Sequence, residues 1–248
     1  MDGVYAYREN SLTIFRHSAV THTGRVRKIN EDSILSLPDH RIWVVSDGMG
    51  GHEAGDFASQ TVTAAVAALP PDMGPKEMMR ALRGAIHDAH AQILAESERS
   101  ARGVIGATVV ALILTDDHFA AFWAGDSRLY CLRDGELDML THDHSVLADL
   151  VLSGAMTWEE AERHPESNVI TRAVGVGDPL ELDKIRGDVR PGDRFLLCSD
   201  GLTKHLGLAD LAAVLRAEPM ETVAEKLVSR ALEGGGTDNI SAIVVDVV

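Results

Sequence analysis

The stretch "IWVVSDGMGGHEAGD", Ile42 to Asp56, carries an apolar run into an aspartate and then into a turn with four glycines, a histidine and a glutamate. Three loop chemistries share parts of this pattern. A phosphate-cradling Walker A loop closes on Gly-Lys-Ser/Thr, and this one does not. A dinucleotide fingerprint, G-x-G-x-x-G counted from Gly48, needs glycine where Glu53 stands. The zincin pattern H-E-x-x-H starts at His52 and fails at Asp56. What remains is a strand that ends at Asp47, followed by glycines that let the backbone turn sharply and pass close to a ligand.

On either side of this stretch the chain reads as strands broken by blocks of helix. Upstream, "LTIFRHSAVTHTG" is a strand, and "SILSL" and "RIWVVS", split by "PDH", form a hairpin. Downstream, "EAGDFASQTVTAAVAAL" is an alanine-rich helix stopped by "PPDMGP". "KEMMRALRGAIHDAHAQILAESE" repeats apolar residues at helical spacing and pairs antiparallel with it. Strands return in "GATVVALILT", "HFAAFWAG" and "RLYCLRDGELDML", the last turning at Asp134-Gly135. Short helices follow between about Ser145 and Glu162. Strands resume near Leu180 and at "RFLLCSD"; two helices, "LADLAAVLRAE" and "METVAEKLVSRALE", then precede the strand "ISAIVVDVV". This order predicts an α+β fold: an antiparallel β-sandwich of two sheets flanked by helix pairs.

The bulk numbers narrow the function classes. The chain has 248 residues, enough for one sizeable core, and no linker or repeat divides it. A single domain over 1–248 is expected. The formal net charge of -15 opposes nucleic acid and anionic lipid as partners. The two cysteines, Cys131 and Cys198, sit in apolar strand-like runs and read as buried thiols of a reducing compartment. The first residues, "MDGVYAYRENS", lack a basic region followed by an apolar one, and "GVIGATVVALIL" is too short to span a bilayer. A cytoplasmic, membrane-free monomer is the expectation.

Carboxylates recur at the ends of the apolar strands. Asp47-Gly48 ends "IWVVSDG", Asp126 ends "AAFWAGDS", and Asp200-Gly201 ends "RFLLCSDG". Asp238 in "GGGTDN" precedes a strand, as do Glu31 and Asp32 in "RVRKINED". Any one of them reads most simply as a turn residue, since Asp-Gly is a common turn pair. Together they make a hard-oxygen set without cysteine, which suits Mg²⁺ or Mn²⁺ better than zinc and is the arrangement two-metal hydrolysis requires.

The pieces "GRVRKINEDS", "VVSDGMGGHEAG", "GATVV", "AGDSRLY", "NVITRAVG", "LLCSDGL" and "TDNISAIVV" occur in one order over nearly the whole chain. On these motifs the chain resembles the metal-dependent type 2C family of protein serine/threonine phosphatases, in its compact bacterial form. The resemblance implies the same αββα sandwich. It implies that Asp47 bridges two Mn²⁺ or Mg²⁺ ions, with the Gly48 carbonyl on one of them. Asp200 and Asp238 would complete the first site, and Glu31 and Asp32 would hold waters around the second. Asp126 would share a third, weaker site with Asp200. Arg27 matches the phosphate-binding arginine, whose planar fork grips two phosphoryl oxygens. Residues from about Asp143 to Gly175 match a flap beside the active site.

The implied reaction is in-line attack on a phosphoserine or phosphothreonine by a water bridging the two metals. His52 is one candidate general acid and a metal-bound water the other. Other branches of the family carry histidine directly after Asp-Gly, where this chain has Met49. Phosphorylated proteins, and a serine/threonine kinase or its targets among them, are the implied partners. The rival expectation is a catalytically inactive phosphoprotein-binding module of the same fold, which predicts loss of at least one metal acid; all six are present. Among neighbouring residues, Arg128 is expected to pair with a carboxylate, Thr108 to pack beside the site, Asn239 to make a turn or support Asp238, and His142 and His144 to lie on the surface.

Overall fold

The computed structural model describes residues 13–50, 54–100, 103–157, 160, 164 and 169–248. One five-stranded sheet has the order β1-β11-β10-β7-β8. Its strands are β1 (Phe15–His22), β7 (Arg128–Arg133), β8 (Glu136–Met139), β10 (Arg194–Cys198) and β11 (Ile240–Val247). The second sheet has the order β2-β3-β5-β6-β9, with the short β4 (Gly106–Ala107) beside β3. It comprises β2 (Asp32–Leu37), β3 (Ile42–Met49), β5 (Val109–Leu114), β6 (His118–Ala124) and β9 (Asp183–Asp188). Every strand pair is antiparallel.

The central strands are apolar on both faces because each face has its own core. In β3, Trp43 and Val45 point between the sheets, while Ile42 and Val44 point outward. That outward layer packs on α1 (Ala54–Ala67) and α2 (Pro75–Ser100) through Val62, Val66, Leu82 and Ile86. In β10 and β11, Phe195, Leu197, Ile243 and Val245 join Trp43 between the sheets. Leu196, Cys198, Ala242 and Val244 face α5 (Leu208–Ala217) and α6 (Val223–Glu233) instead. The period-2 pleat therefore sorts one continuous apolar run into two cores. The result is the expected four-layer αββα arrangement.

Smaller expectations also hold. Asp134 and Gly135 turn the β7–β8 hairpin with φ of 52° and 84°, both left-handed, as a type I′ turn requires. Cys131 and Cys198 are buried free thiols. In the flap region the chain forms α3 (Val146–Leu152), and Ser145 bridges back to Ile170. Asn168 and parts of "TWEEAER" lie outside the described residues. Among the described residues, no helix is long and apolar enough to cross a membrane.

Candidate active site

The strand ends gather the acids at one rim of the sandwich. Asp32 opens β2 and is the cross-strand partner of Asp47 near the end of β3. Asp200 opens the single turn α4 (Asp200–Thr203) directly after β10, and Asp238 stands just before β11. Asp126 lies in the β6–β7 connection. The segments approach each other too closely for side chains at two glycines. A Cβ on Gly48 would lie 2.0 Å from the Gly55 carbonyl oxygen, and one on Gly201 would lie 1.9 Å from that of Asn239. Any larger residue there would push the acid-bearing turns apart.

Hydrogen bonds fix the frame around the carboxylates. The Asp47 amide donates to Thr108 Oγ1 at 2.9 Å, and its carbonyl accepts from the Thr108 amide at 2.8 Å. Thr108 Oγ1 in turn meets Ser127 Oγ at 2.7 Å. Asp32 Oδ2 accepts from Ser199 Oγ at 2.8 Å and from Ser241 Oγ at 2.7 Å, so one acid ties the two sheets together. Asn239 holds the 23–31 loop: its Nδ2 donates to the carbonyls of Thr23 and Ile29, and its Oδ1 accepts the Glu31 amide. The Glu31 carboxylate accepts from the Gly55 backbone at the start of α1, where the helix terminus favours negative charge.

The site holds more negative charge than its own cations cover. Arg27 places Nε 2.9 Å from Asp238 Oδ1 and a second nitrogen 3.0 Å from Oδ2. Lys204 Nζ lies 2.6 Å from Asp200 Oδ2 and 2.9 Å from Asp238 Oδ2. Among the described residues, two cations thus face six carboxylates, and Asp32 Oδ1 and Asp200 Oδ1 are buried with no hydrogen-bond partner.

The crowding shows in the proton affinities. Burial pushes Asp32 up to about 7, against the two serine hydroxyls and helped by Asp200 and Asp238. Burial, then Asp200 and Asp143, push Asp126 up to about 8. Burial and the charges of Asp32, Asp200, Asp126 and Asp238 raise Asp47 well above the carboxylate range. Asp238 alone moves down: burial acts the other way, but Lys204 and Arg27 outweigh it. Buried carboxylates that repel one another, with orphaned oxygens and no thiolate, fit oxygen-ligated divalent cations.

Sequence reasoning missed three of these residues. Lys204 could have been found from its place four residues after Asp200 in a helical turn. Ser199 and Ser241 carry no local signal; only the register of β10 and β11 brings them to Asp32. Arg128 pairs with Asp143 through two contacts of 2.9 and 2.6 Å, as expected. His52 lies outside the described residues.

His144 corrects an expectation. It is buried rather than on the surface, with 4% exposure, stacked on Trp123. The His142 and His144 Nε2 atoms each lie 3.2 Å from Asp183 Oδ2, a grouping that could suit a cation. The Gly125 amide donates to His144 Nδ1 at 3.2 Å, which leaves the ring proton on Nε2, aimed at Asp183. Arg172 holds the other Asp183 oxygen at 2.9 Å. This is a closed hydrogen-bond network that ties the flap base to the Asp126 turn.

The sequence pattern of the protein phosphatase 2C family matches residues 22–234. The chain belongs to that family. It is 38% identical over 237 residues to the serine/threonine protein phosphatase PstP of Mycobacterium tuberculosis, covering 95% of this chain and 45% of the relative. The chain thus spans about half the length of that curated relative. Among solved structures it resembles PppA, a key regulatory component of T6SS in Pseudomonas aeruginosa, with TM-score 0.89 and 38% identity over 96% of this chain and 99% of the other. It also resembles the catalytic domain of PstP in complex with 2 manganese ions, with TM-score 0.87 and 36% identity over 95% and 99% of the two chains.

Proposed function

We propose that this chain is a metal-dependent protein serine/threonine phosphatase, built as one catalytic domain over 1–248. The observation that carries the reading is the rim of six converging carboxylates that, among the described residues, is served by two cations and leaves two buried oxygens unpartnered. Asp47 would serve two Mn²⁺ or Mg²⁺ ions, with the Gly48 carbonyl on one of them; Asp200 and Asp238 would complete the first site, and Glu31 and Asp32 would hold waters around the second. Asp126 with Asp200 is the candidate for a third. When bound, such cations supply the Lewis acidity that lowers the pKa of water and neutralises phosphoryl charge.

The chain's own residues do the rest. Thr108 fixes the backbone of Asp47, and Ser199 and Ser241 occupy one Asp32 oxygen so that the other faces the site. Arg27 has a side chain 50% exposed, so its fork can turn from Asp238 to a phosphoryl group at the rim. His52 is one candidate for protonating the leaving seryl or threonyl oxygen, and a water held by the metals the other. Substrates of this class are phosphorylated proteins, with a serine/threonine kinase or its targets among them.

The test is hydrolysis of a phosphothreonine peptide with Mn²⁺. Turnover is expected with Mn²⁺, lost with chelator and restored by added metal. Chelator-resistant turnover, or no turnover under any divalent cation, would refute the reading.

A further inference from the structure

Lys204 stands where a shared cation belongs. Its Nζ touches the Oδ2 atoms of both Asp200 and Asp238, the two acids read above as completing one metal site. The position is built in. Lys204 caps α4, and its amide donates to the Asp200 carbonyl at 2.8 Å, so its side chain stays one helical turn from Asp200. The ammonium stands in for the divalent ion: it is compact, positive, and takes oxygen from both acids. It also differs from Arg27, which forks onto Asp238 alone.

We propose that Lys204 is an internal competitor for the divalent cation at Asp200 and Asp238, and that it sets the free-metal concentration at which this site fills. The inference rests on the metal-dependent reading of the site. A cation entering between the two carboxylates must displace the ammonium. The lysine has a flexible four-carbon stem and is 29% exposed, so it can withdraw toward solvent without moving α4. Tethered so close, it competes at a high and constant effective concentration. The apparent metal affinity is lowered by the fraction of molecules in which the lysine is withdrawn. In return, Lys204 neutralises part of the like-charge repulsion while the site holds no metal.

The experiment is calorimetric titration of Mn²⁺ into the chelator-stripped full chain, comparing the natural protein with Lys204→Met, which keeps the stem and removes the charge. Lys204→Gln serves as a second variant should the first fold poorly. Melting temperatures are recorded with and without Mn²⁺. We expect the neutral variants to bind Mn²⁺ about tenfold more tightly at one site, on the order of the coupling a close charge pair supplies. Without metal they melt at lower temperature than the natural protein, yet gain more from Mn²⁺. Equal or weaker Mn²⁺ affinity in both variants overturns the competitor role, and equal losses of melting temperature with and without metal mark Lys204 as scaffold only. Asp238→Asn in either background separates the two readings. If it abolishes tight Mn²⁺ binding, the metal site stands whatever Lys204 does; if no variant and no natural protein binds Mn²⁺, both the metal reading and the competitor fall.

Discussion

Strands β7, β10 and β11 each have two ends, and their charged residues behave in opposite ways at the two. At the far end, Arg194 forks onto Asp246 at 2.6 and 2.8 Å and also donates to the carbonyls of Leu215 and Glu218 after α5. Arg133 forks onto Asp193 with both contacts at 2.7 Å, and the Arg190 amide adds a third donor to that nearly fully buried carboxylate. Asp193 and Asp246 each have their arginine. At the other end Arg128 forks onto Asp143 and Lys204 is shared between Asp200 and Asp238, but Asp126 faces more acids, and Asp200 Oδ1 and, on the neighbouring sheet, Asp32 Oδ1 are buried with no hydrogen-bond partner among the described residues. A fold keeps buried charge cheaply when it is paired and hydrogen-bonded, and at a cost when it is not. The end with unpartnered oxygens is therefore where the proposed cations would bind, and the fully paired carboxylates Asp193 and Asp246 serve stability.

That contrast can be broken by mutation. The largest expected effect is at Asp47. Asp47→Asn should lower Mn²⁺-dependent phosphopeptide turnover by about a thousandfold or more, as several kcal/mol of transition-state stabilisation are lost. In chelator, at a pH high enough to ionise Asp47, the same variant should melt at a higher temperature than the natural protein, because one buried carboxylate no longer repels its neighbours. A variant that is less stable without metal would contradict the picture of a strained acid cluster.

Asp193→Ala should do the reverse. It strands Arg133 beside a buried position, so urea denaturation should show a loss of about 3 kcal/mol, while turnover per folded molecule stays unchanged. A neutral result would mean that the far end contributes no more than a surface ion pair.

Arg27→Ala comes next. Loss of charge-assisted hydrogen bonds to phosphate should raise the phosphopeptide KM by about tenfold to a hundredfold, with Mn²⁺ binding by calorimetry retained. Unchanged kinetics would make Arg27 merely the counter-ion of Asp238.

The gentlest trend is in pH. Asp32 and Asp126 hold protons in the metal-free native state up to about 7 and about 8, whereas the unfolded carboxyl releases them near 3.8. Their contribution to stability is complete below the unfolded value and is lost as pH rises through the folded values. In chelator, urea midpoints should therefore fall between pH 5 and pH 8, and Asp32→Asn should flatten the fall. A rising midpoint would place the acids in ordinary, paired surroundings.

Much of the fold is written locally. Apolar runs such as "VVALIL" and "AIVVDVV" must be buried on both faces, and the helix pairs must lie outside them, because nothing else in the chain could cover those faces. The Asp134-Gly135 turn and the buried cysteines follow from equally short-range chemistry. Asp47 and Asp200 were legible for the same reason: an aspartate that ends an apolar strand and precedes glycine has a fixed place at a rim. His144 was not legible, because "THDHS" looks polar and only the packing of Trp123 and the Gly125 turn encloses it.

The residues themselves thus determined the layers, the strand ends and the identity of the six carboxylates, since each depends on periodicity and on neighbours close in the chain. Only the tertiary structure decided which groups meet them: Ser199 after β10 and Ser241 of β11 at Asp32, Arg27 on Asp238 across 211 positions, and Asp238 beside the local Lys204–Asp200 pair. Those contacts are set by sheet order and register, which no short stretch encodes. They are what separates carboxylates that are paired from those with buried oxygens left unpartnered among the described residues.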